Sequence, residues 1–264
     1  MTLATPFLVR REHFGRVGST NDVVREWLAA GTPEVCLAVA DEQTAGRGRQ
    51  GRTWVAPPGS GLLLSVGFRP TWLAPDHVWR LAATASLAMA EAIEQTTALP
   101  RGTIKLKWPN DLVTVLFEVV RKVAGVLGET DGLGTDDPRV VVGIGVNTNW
   151  NAEDAPPDLR PSMMSLRMMS DRETDLDVLI ATFLDHLERR VVDLRGGQFA
   201  AGPWVGRQLT TAGREVQLIE HDGSARWLPT RGVDVDTGAL LIVDRDIERA
   251  VLAGDVKHVR LGRV

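Results

Sequence analysis

Hydrophobic positions along the chain switch between a helical period of 3.6 and a strand period of two. Val23, Val24, Trp27 and Leu28 keep helical spacing behind Ser19-Thr20-Asn21-Asp22, a start signal with short capping side chains and an acid in the first turn. Gly31 and Pro33 stop that helix. Residues 35–40 and 62–68 are apolar runs of strand length, the second bounded by Gly59-Ser60-Gly61 and Pro70. Residues 76–98 predict a long helix with an alanine-rich packing side. Residues 104–108 alternate cleanly, so they predict a strand with Lys105 and Lys107 on one face, closed by a turn at Pro109-Asn110-Asp111. Two further strands are expected over 112–120 and 122–128, and a β-rich run over 139–147. Residues 149–172 read as irregular connection with a short helical piece. Leu176, Leu179, Ile180, Phe183, Leu187 and Val191 predict an amphipathic helix over 175–194. Gly196, Gly197 and Gly202-Pro203 then mark a break.

Beyond Leu209 the pattern becomes short strands, at 215–220, 225–233, 239–243 and 250–261. Turns are expected at 221–223, 236–238 and 253–255. This is the pattern of a small β-barrel-like module, of a size that packs against a neighbour. The chain therefore divides into a large unit, 1–207, and a small one, 208–264.

With 264 residues, 44% hydrophobic and 24% charged, the composition is that of an ordinary globular protein. The formal net charge of -4 weighs against a general nucleic-acid binder. One cysteine, Cys36, excludes an internal disulfide, and its apolar surroundings predict a buried thiol. No run is long and apolar enough to span a bilayer and no signal-peptide pattern opens the chain, so a cytoplasmic protein is expected. Lysine occurs only at 105, 107, 122 and 257, which makes each easier to single out.

Four stretches carry candidate chemistry. The most unusual is 41–54, where Gly46, Gly48 and Gly51 interleave with Arg47, Arg49 and Arg52, after Gln43 and before Trp54. Glycines let backbone N–H groups approach an anion closely, and guanidinium forks suit phosphate and carboxylate. Such a loop equally suits a solvated basic segment. Trp54 can stack on a base or simply close the loop from the core. Ser19-Thr20-Asn21 can hold a carbonyl or ureido group at a helix start, or only cap it. In Lys107-Trp-Pro-Asn110-Asp111 the carboxylate projects at a sheet edge, where it can meet Mg²⁺ on a nucleotide or merely close the turn. Lys122 enters an apolar run three residues before Gly125, a place for an ammonium that screens developing phosphate charge or for a strand-end lysine.

Taken together and in this order, these pieces resemble the biotin protein ligase family. The matching segments are Ser19-Thr-Asn21, Gln43-Thr-Ala-Gly-Arg-Gly-Arg-Gln-Gly-Arg-Thr-Trp54, Lys107-Trp-Pro-Asn-Asp-Leu112, Lys122-Val-Ala-Gly-Val-Leu127 and Gly143-Ile-Gly-Val-Asn147. A weaker match reaches Gly254-Asp-Val256. The resemblance implies an α+β fold: a mixed β-sheet catalytic domain of the class II aminoacyl-tRNA-synthetase-like type, with packed helices, and a small C-terminal SH3-like β-barrel. It implies activation of biotin by ATP to biotinyl-5′-AMP with Mg²⁺. Transfer to a lysine of a biotin carboxyl carrier protein then follows.

Carried over position by position, Ser19, Thr20, Asn21, Gln43 and Gly125 would line the biotin site. Arg47, Gly48 and Arg49 would close over biotin and phosphate. Lys122 would bridge carboxylate and α-phosphate, and Asp111 would order the metal. Arg52, Trp54, Lys107, Asn110 and Asn147 would serve ATP, with Trp54 and Asn147 near adenine. Lys122, Arg49 and Asp111 make up the implied catalytic set. The resemblance is to the monofunctional kind, monomer or homodimer, without sequence-specific nucleic-acid binding or a membrane partner.

One departure stands out. The family's short hairpin before the lysine carries a Gly, Asn or Asp turn, whereas residues 112–121 are longer and apolar with no visible turn residue. Either the strands extend into a wider connection or Lys122 is displaced. Two other readings compete: a lipoate or octanoate ligase or transferase of the same superfamily, and a nucleotide- or nucleic-acid-binding regulator. Ser19, Thr20 and Gln43 suit a ureido ring better than a long apolar channel.

Overall fold

The computed structural model describes residues 7–219, 223–252 and 254–260. Its centre is a seven-stranded mixed sheet of strands β1 (Arg10–Val17), β2 (Cys36–Gln43), β3 (Gly61–Phe68), β4 (Lys105–Lys107), β5 (Asp111–Leu116), β6 (Val119–Asp131) and β7 (Arg139–Asn147). Their spatial order is β1-β2-β3-β7-β6-β5-β4, parallel between β1 and β2 and antiparallel elsewhere. Helix α1 (Thr20–Ala29) covers one face of the sheet. Helices α2 (Trp79–Thr96) and α4 (Leu176–Arg195) cover the other, with the short α3 (Leu166–Ser170) and α5 (Ala201–Arg207) beside them.

Alternation along the strands assigns each side chain to a face. Val140, Val142, Ile144 and Val146 of β7 enter the main core, as do Leu62, Leu64, Val66 and Phe68 of β3. Both faces of β3 are covered, so all eight of its positions are buried. Several intervening positions on the α1 side are small: Gly143, Gly145, Ser65 and Gly67, with Gly125 on β6 opposite Gly145. Next to α1 this suits close packing, since a Cβ on Gly67 would lie 2.6 Å from both Cys36 Sγ and Val24. Past the N-terminus of α1 the same smallness leaves a hollow in the sheet surface.

Residues 112–121 form no wide connection. Strands β5 and β6 are joined by a two-residue turn, Phe117-Glu118, with φ of 50° and 64°. Hairpin turns of this kind need positive φ at both central residues and normally use Asn or Gly. Here extended pairing carries a phenylalanine and a glutamate into that geometry, which is why no turn residue was visible. Lys122 follows this hairpin within β6. It pairs with Val113 just beyond a bulge, and its backbone is tied to residues 162–164 through Lys122 N–H to Ser162 O (2.6 Å) and Met164 N–H to Lys122 O (2.8 Å).

Three other expectations need correction. Strand β1 was not foreseen, because its edge positions are mostly exposed and charged. Gly202-Pro203 does not break the chain but lies in the first turn of α5, where a missing N–H is tolerated. Residues 250–261 do not form one strand. The small unit has five strands, β8 (Glu215–Ile219), β9 (Ala225–Val233), β10 (Leu240–Asp244), β11 (Ile247–Val251) and β12 (Asp255–Arg260), in the antiparallel order β11-β10-β9-β8-β12. Arg245-Asp246, a second positive-φ pair, turns β10 into β11. Among the described residues β11 and β12 do not pair, so the sheet is open. Most of the turn expected at 221–223, and Ala253 of the next, lie outside the described residues.

Candidate functional site

The hollow beyond α1 opens into a cavity of about 850 Å³. Every candidate residue from the sequence lines it: Ser19, Thr20 and Asn21; Gln43; Arg47, Gly48, Arg49, Arg52 and Trp54; Lys107, Asn110 and Asp111; Lys122 and Gly125; and Asn147. They come from separate elements, and β-pairing brings them together. Asp111 opens β5 directly opposite Gly125 of β6, which in turn faces Gly145 of β7.

At the inner end lies a buried polar chain. Thr20 N–H donates to Gln43 Oε1 at 2.7 Å, fixing the end of β2 against the first turn of α1. Ser65 Oγ lies 2.6 Å from Asn21 Oδ1 and 2.7 Å from Thr20 Oγ1. The Thr20 hydroxyl donates to Gln43 Oε1 at 3.0 Å, so the single Ser65 proton is shared between Asn21 Oδ1 and Thr20 Oγ1. Ser65 was not singled out from sequence, although one hydroxyl in an otherwise apolar buried strand is the signal that marks it. Gly143 keeps the space for this chain, because a Cβ there would meet Asn21 Oδ1 head-on.

Trp54 lies over the paired glycines. A Cβ on Gly125 would fall 2.9 Å from its ring, and one on Gly145 would fall 2.6 Å from Nε1 and 2.7 Å from Cζ2. Lys122 Nζ sits 5.3 Å from the centre of the same ring. Lys122 Nζ also pairs with Asp111 Oδ1 at 2.6 Å, and Lys107 Nζ lies 3.8 Å from Asp111 Oδ2. One carboxylate therefore stands between two ammonium groups at the waist of the cavity. Asn110 donates to Val126 O at 2.7 Å, which holds the Pro109 turn against β6. The amide nitrogen of Asn147 is committed to backbone, to Lys122 O at 3.1 Å and Met164 O at 3.3 Å. Asn147 thus also steadies the Lys122 backbone.

The glycine-arginine loop folds as a small lip. Arg47 and Thr53 form an antiparallel bridge, Gly48 N–H donates to Arg52 O at 2.6 Å, and Trp54 N–H to Gly46 O at 3.0 Å. Arg47 turns outward in a two-pronged pair with Asp22 (2.8 Å to each oxygen), and it also reaches Glu129 at 3.2 Å. Arg25 bonds both acids. The guanidinium of Arg47 holds the Asp22 carboxyl below its usual range, and Asp22 in turn raises the Arg47 pKa. Neither acid was singled out from sequence; Asp22 was read only as a first-turn charge. Arg49 reaches the small unit, donating to Gly254 O at 3.3 Å. That unit contributes Lys257 and His258 to the wall, which sequence reading had not picked out.

Cys36 faces α1 and is buried, and burial pushes its thiol up to about 11, as expected of an inert packing residue. Among the described residues no group of three or more His, Cys, Asp or Glu side chains could cage a metal ion, and no helix is long and apolar enough to cross a membrane.

Residues 14–147 match the model of the biotin/lipoate A/B protein ligase family. Over 254 residues the chain is 32% identical to a biotin–[acetyl-CoA-carboxylase] ligase of Mycobacterium tuberculosis, covering 93% of this chain and 87% of that one. It is 31% identical to the bifunctional ligase/repressor BirA of Bacillus spizizenii, over 67% of this chain and 52% of that protein, so it spans about half the length of that relative. Among solved structures it resembles the biotin protein ligase of Aquifex aeolicus in complex with biotin and ATP, at 26% identity and a TM-score of 0.76, covering 96% of this chain and 99% of the other.

Proposed function

Since the chain belongs to the biotin/lipoate A/B protein ligase family, we propose that it is a biotin protein ligase that modifies a biotin carboxyl carrier domain. One observation carries the reading. A single cavity of about 850 Å³ gathers both a ureido-type polar end and a cationic waist under the glycine-arginine lip. Within the family the alternative is a lipoate-type ligase. Its acid has no ureido group to place beside Ser19, Thr20, Asn21 and Gln43, and those residues fill the inner end here.

Biotin enters with its ureido ring against the Thr20–Ser65–Asn21 chain and its carboxylate toward Lys122. One carboxylate oxygen attacks the α-phosphorus of ATP. The P–O bond to the β-phosphate breaks, and pyrophosphate leaves with the electron pair. Both reactants are anions, so cations must bring them together: Lys122 at the junction, with Lys107, Arg49 and Arg52 around the phosphates. Asp111 places the Lys122 ammonium. The donor set also fits a nucleotide-borne Mg²⁺, which needs only one or two protein carboxylates besides phosphate and water. Asp111 would hold that ion, which spreads phosphate charge when bound. Trp54 and Asn147 are assigned to the adenine end of the adenylate. The lip excludes water from the mixed anhydride. The amine of an acceptor lysine then attacks the acyl carbon. An amide forms, the C–O bond to phosphate breaks, AMP leaves and the nitrogen loses its proton.

We assign residues 1–207 to the catalytic domain and 208–264 to a small domain whose open sheet supports an SH3-like reading. The catalytic sheet supports the class II synthetase-like type. The deciding assay is ATP–pyrophosphate exchange driven by each acid. Exchange with biotin is expected, and exchange with lipoate but not biotin would overturn the assignment.

A further inference from the structure

The β5–β6 hairpin is apolar where a hairpin tip is normally polar. Phe117 is 91% exposed, Leu116 and Val119 are 44% exposed, and Val115 is 37% exposed. Phe117 and Glu118 occupy positive φ, where Asn or Gly costs less. An exposed phenylalanine on a strained turn favours neither solubility nor folding, so its use points outward.

The hairpin is also part of the cavity mouth. Glu118, Val119 and Val120 line the opening, together with Val55 and Leu159, two more exposed apolar residues. Phe117 stands five residues from Lys122, about 16 Å along an extended strand. The stem of a lysine reaches about 6 Å, and a folded domain of 100 residues has a radius of gyration of about 13 Å. A folded acceptor that delivers its amine to an acyl carbon beside Lys122 must therefore lie against this hairpin.

We propose that the tip formed by Leu116 and Phe117 is the docking surface for the acceptor domain, a reading that rests on the ligase function above. The occupant is a folded domain with an apolar patch beside its target lysine. Lys257, exposed on the wall that the small unit contributes to the cavity, favours an acidic side chain near that lysine. A second copy of this chain seated at the mouth would block the transfer step. Nor is the tip a lid over its own cavity, since Phe117 is almost wholly exposed.

The test is the double variant Leu116→Thr/Phe117→Asn. Threonine keeps strand propensity and asparagine suits positive φ, so the hairpin is retained. Three quantities are measured: biotin-dependent ATP–pyrophosphate exchange, biotinyl hydroxamate formed with hydroxylamine, and the KM for a purified biotin carboxyl carrier domain. The expected result is a rise of about tenfold in acceptor KM, with exchange and hydroxamate within twofold of the parent and with Phe117→Leu recovering most of the loss. An unchanged acceptor KM overturns the proposal. Exchange falling in step with transfer overturns it in favour of a lid. A dimer in sedimentation that the variant dissolves, at unchanged acceptor KM, overturns it in favour of self-association. Loss of biotin-dependent exchange in the parent protein would instead refute the ligase reading itself.

Discussion

Replacing Gly145 by alanine tests whether the glycine platform exists to seat Trp54. The new methyl would stand 2.6 Å from Nε1 and 2.7 Å from Cζ2 of the indole, with Cε2 closer still. Ordinary carbon contacts are about 3.5–4.0 Å, so the ring must move by roughly 1 Å or more. The backbone at Gly145 does not have positive φ, so alanine adds no conformational strain there. The whole effect therefore falls on the ring. Overpacking costs about 1–3 kcal/mol, and losing the Lys122 ammonium over the indole adds about 0.5–1 kcal/mol. The ring can escape into the cavity, so the cost appears in ligand binding more than in stability. Biotin and its adenylate should bind about 10- to 100-fold more weakly by calorimetry, with Tm lowered by only a few degrees. The control is a double-mutant cycle with Trp54→Ala. Without the indole the methyl has nothing to strike, so Gly145→Ala should then be nearly silent. Equal penalties with and without Trp54 would refute the steric argument.

Three other outcomes follow from the site and its supports. Lys122→Ala should leave the fold intact and slow biotin-dependent pyrophosphate exchange by about 10²–10³-fold, the range for one charge-stabilising donor; near-normal exchange removes the ammonium from the reaction. Asp22→Asn should loosen the lip and speed adenylate dissociation several-fold at neutral pH. The Asp22 pKa lies below its ordinary 3.8, so its pairing with Arg47 is fully present above that value and is lost as pH falls through the depressed one. Dissociation that rises between about pH 8 and 5 in the parent protein would contradict this source. Glu94→Ala should destabilise the large unit by about 3–5 kcal/mol, or roughly 10 °C in Tm, by stranding a buried charge. Glu94, 3% exposed, bonds both prongs of Arg207 at 2.8 Å and the N–H groups of Gly102 and Ile104, and its carboxylate raises the Arg207 pKa. A melting point within 2 °C of the parent (about 1 kcal/mol) would show that water replaces the pair.

Much of this was legible in the chain because period and motif agreed. The helix behind Ser19-Thr20-Asn21, the central strand 62–68 and the amphipathic helix ending near Leu194 were read from spacing alone. The candidate residues stood out because glycines, arginines and isolated lysines are chemically conspicuous, and the fold gathers them around one cavity. What escaped was set by tertiary context. Phe117-Glu118 turns because strand pairing on either side imposes it, against the local preference of both residues. Pro203 sits in a helix because its position falls in the first turn, a boundary sequence does not mark. Strand β1 carries charge along an exposed edge, so it lacks the alternation that betrays a strand. Ser65, Asp22 and Glu129 matter only through distant partners, which no window along the chain contains.

The waist of the cavity has a consequence for which molecules it admits. Asp111 already engages one donor of the Lys122 ammonium, so on the proposed reading an incoming acid meets a cation already partly neutralised by a resident counter-ion. A neutral mimic of the same outline, such as an amide or alcohol, has no charge with which to compete and leaves the resident pair closed. On that reading the site weighs the valence of a guest before its shape.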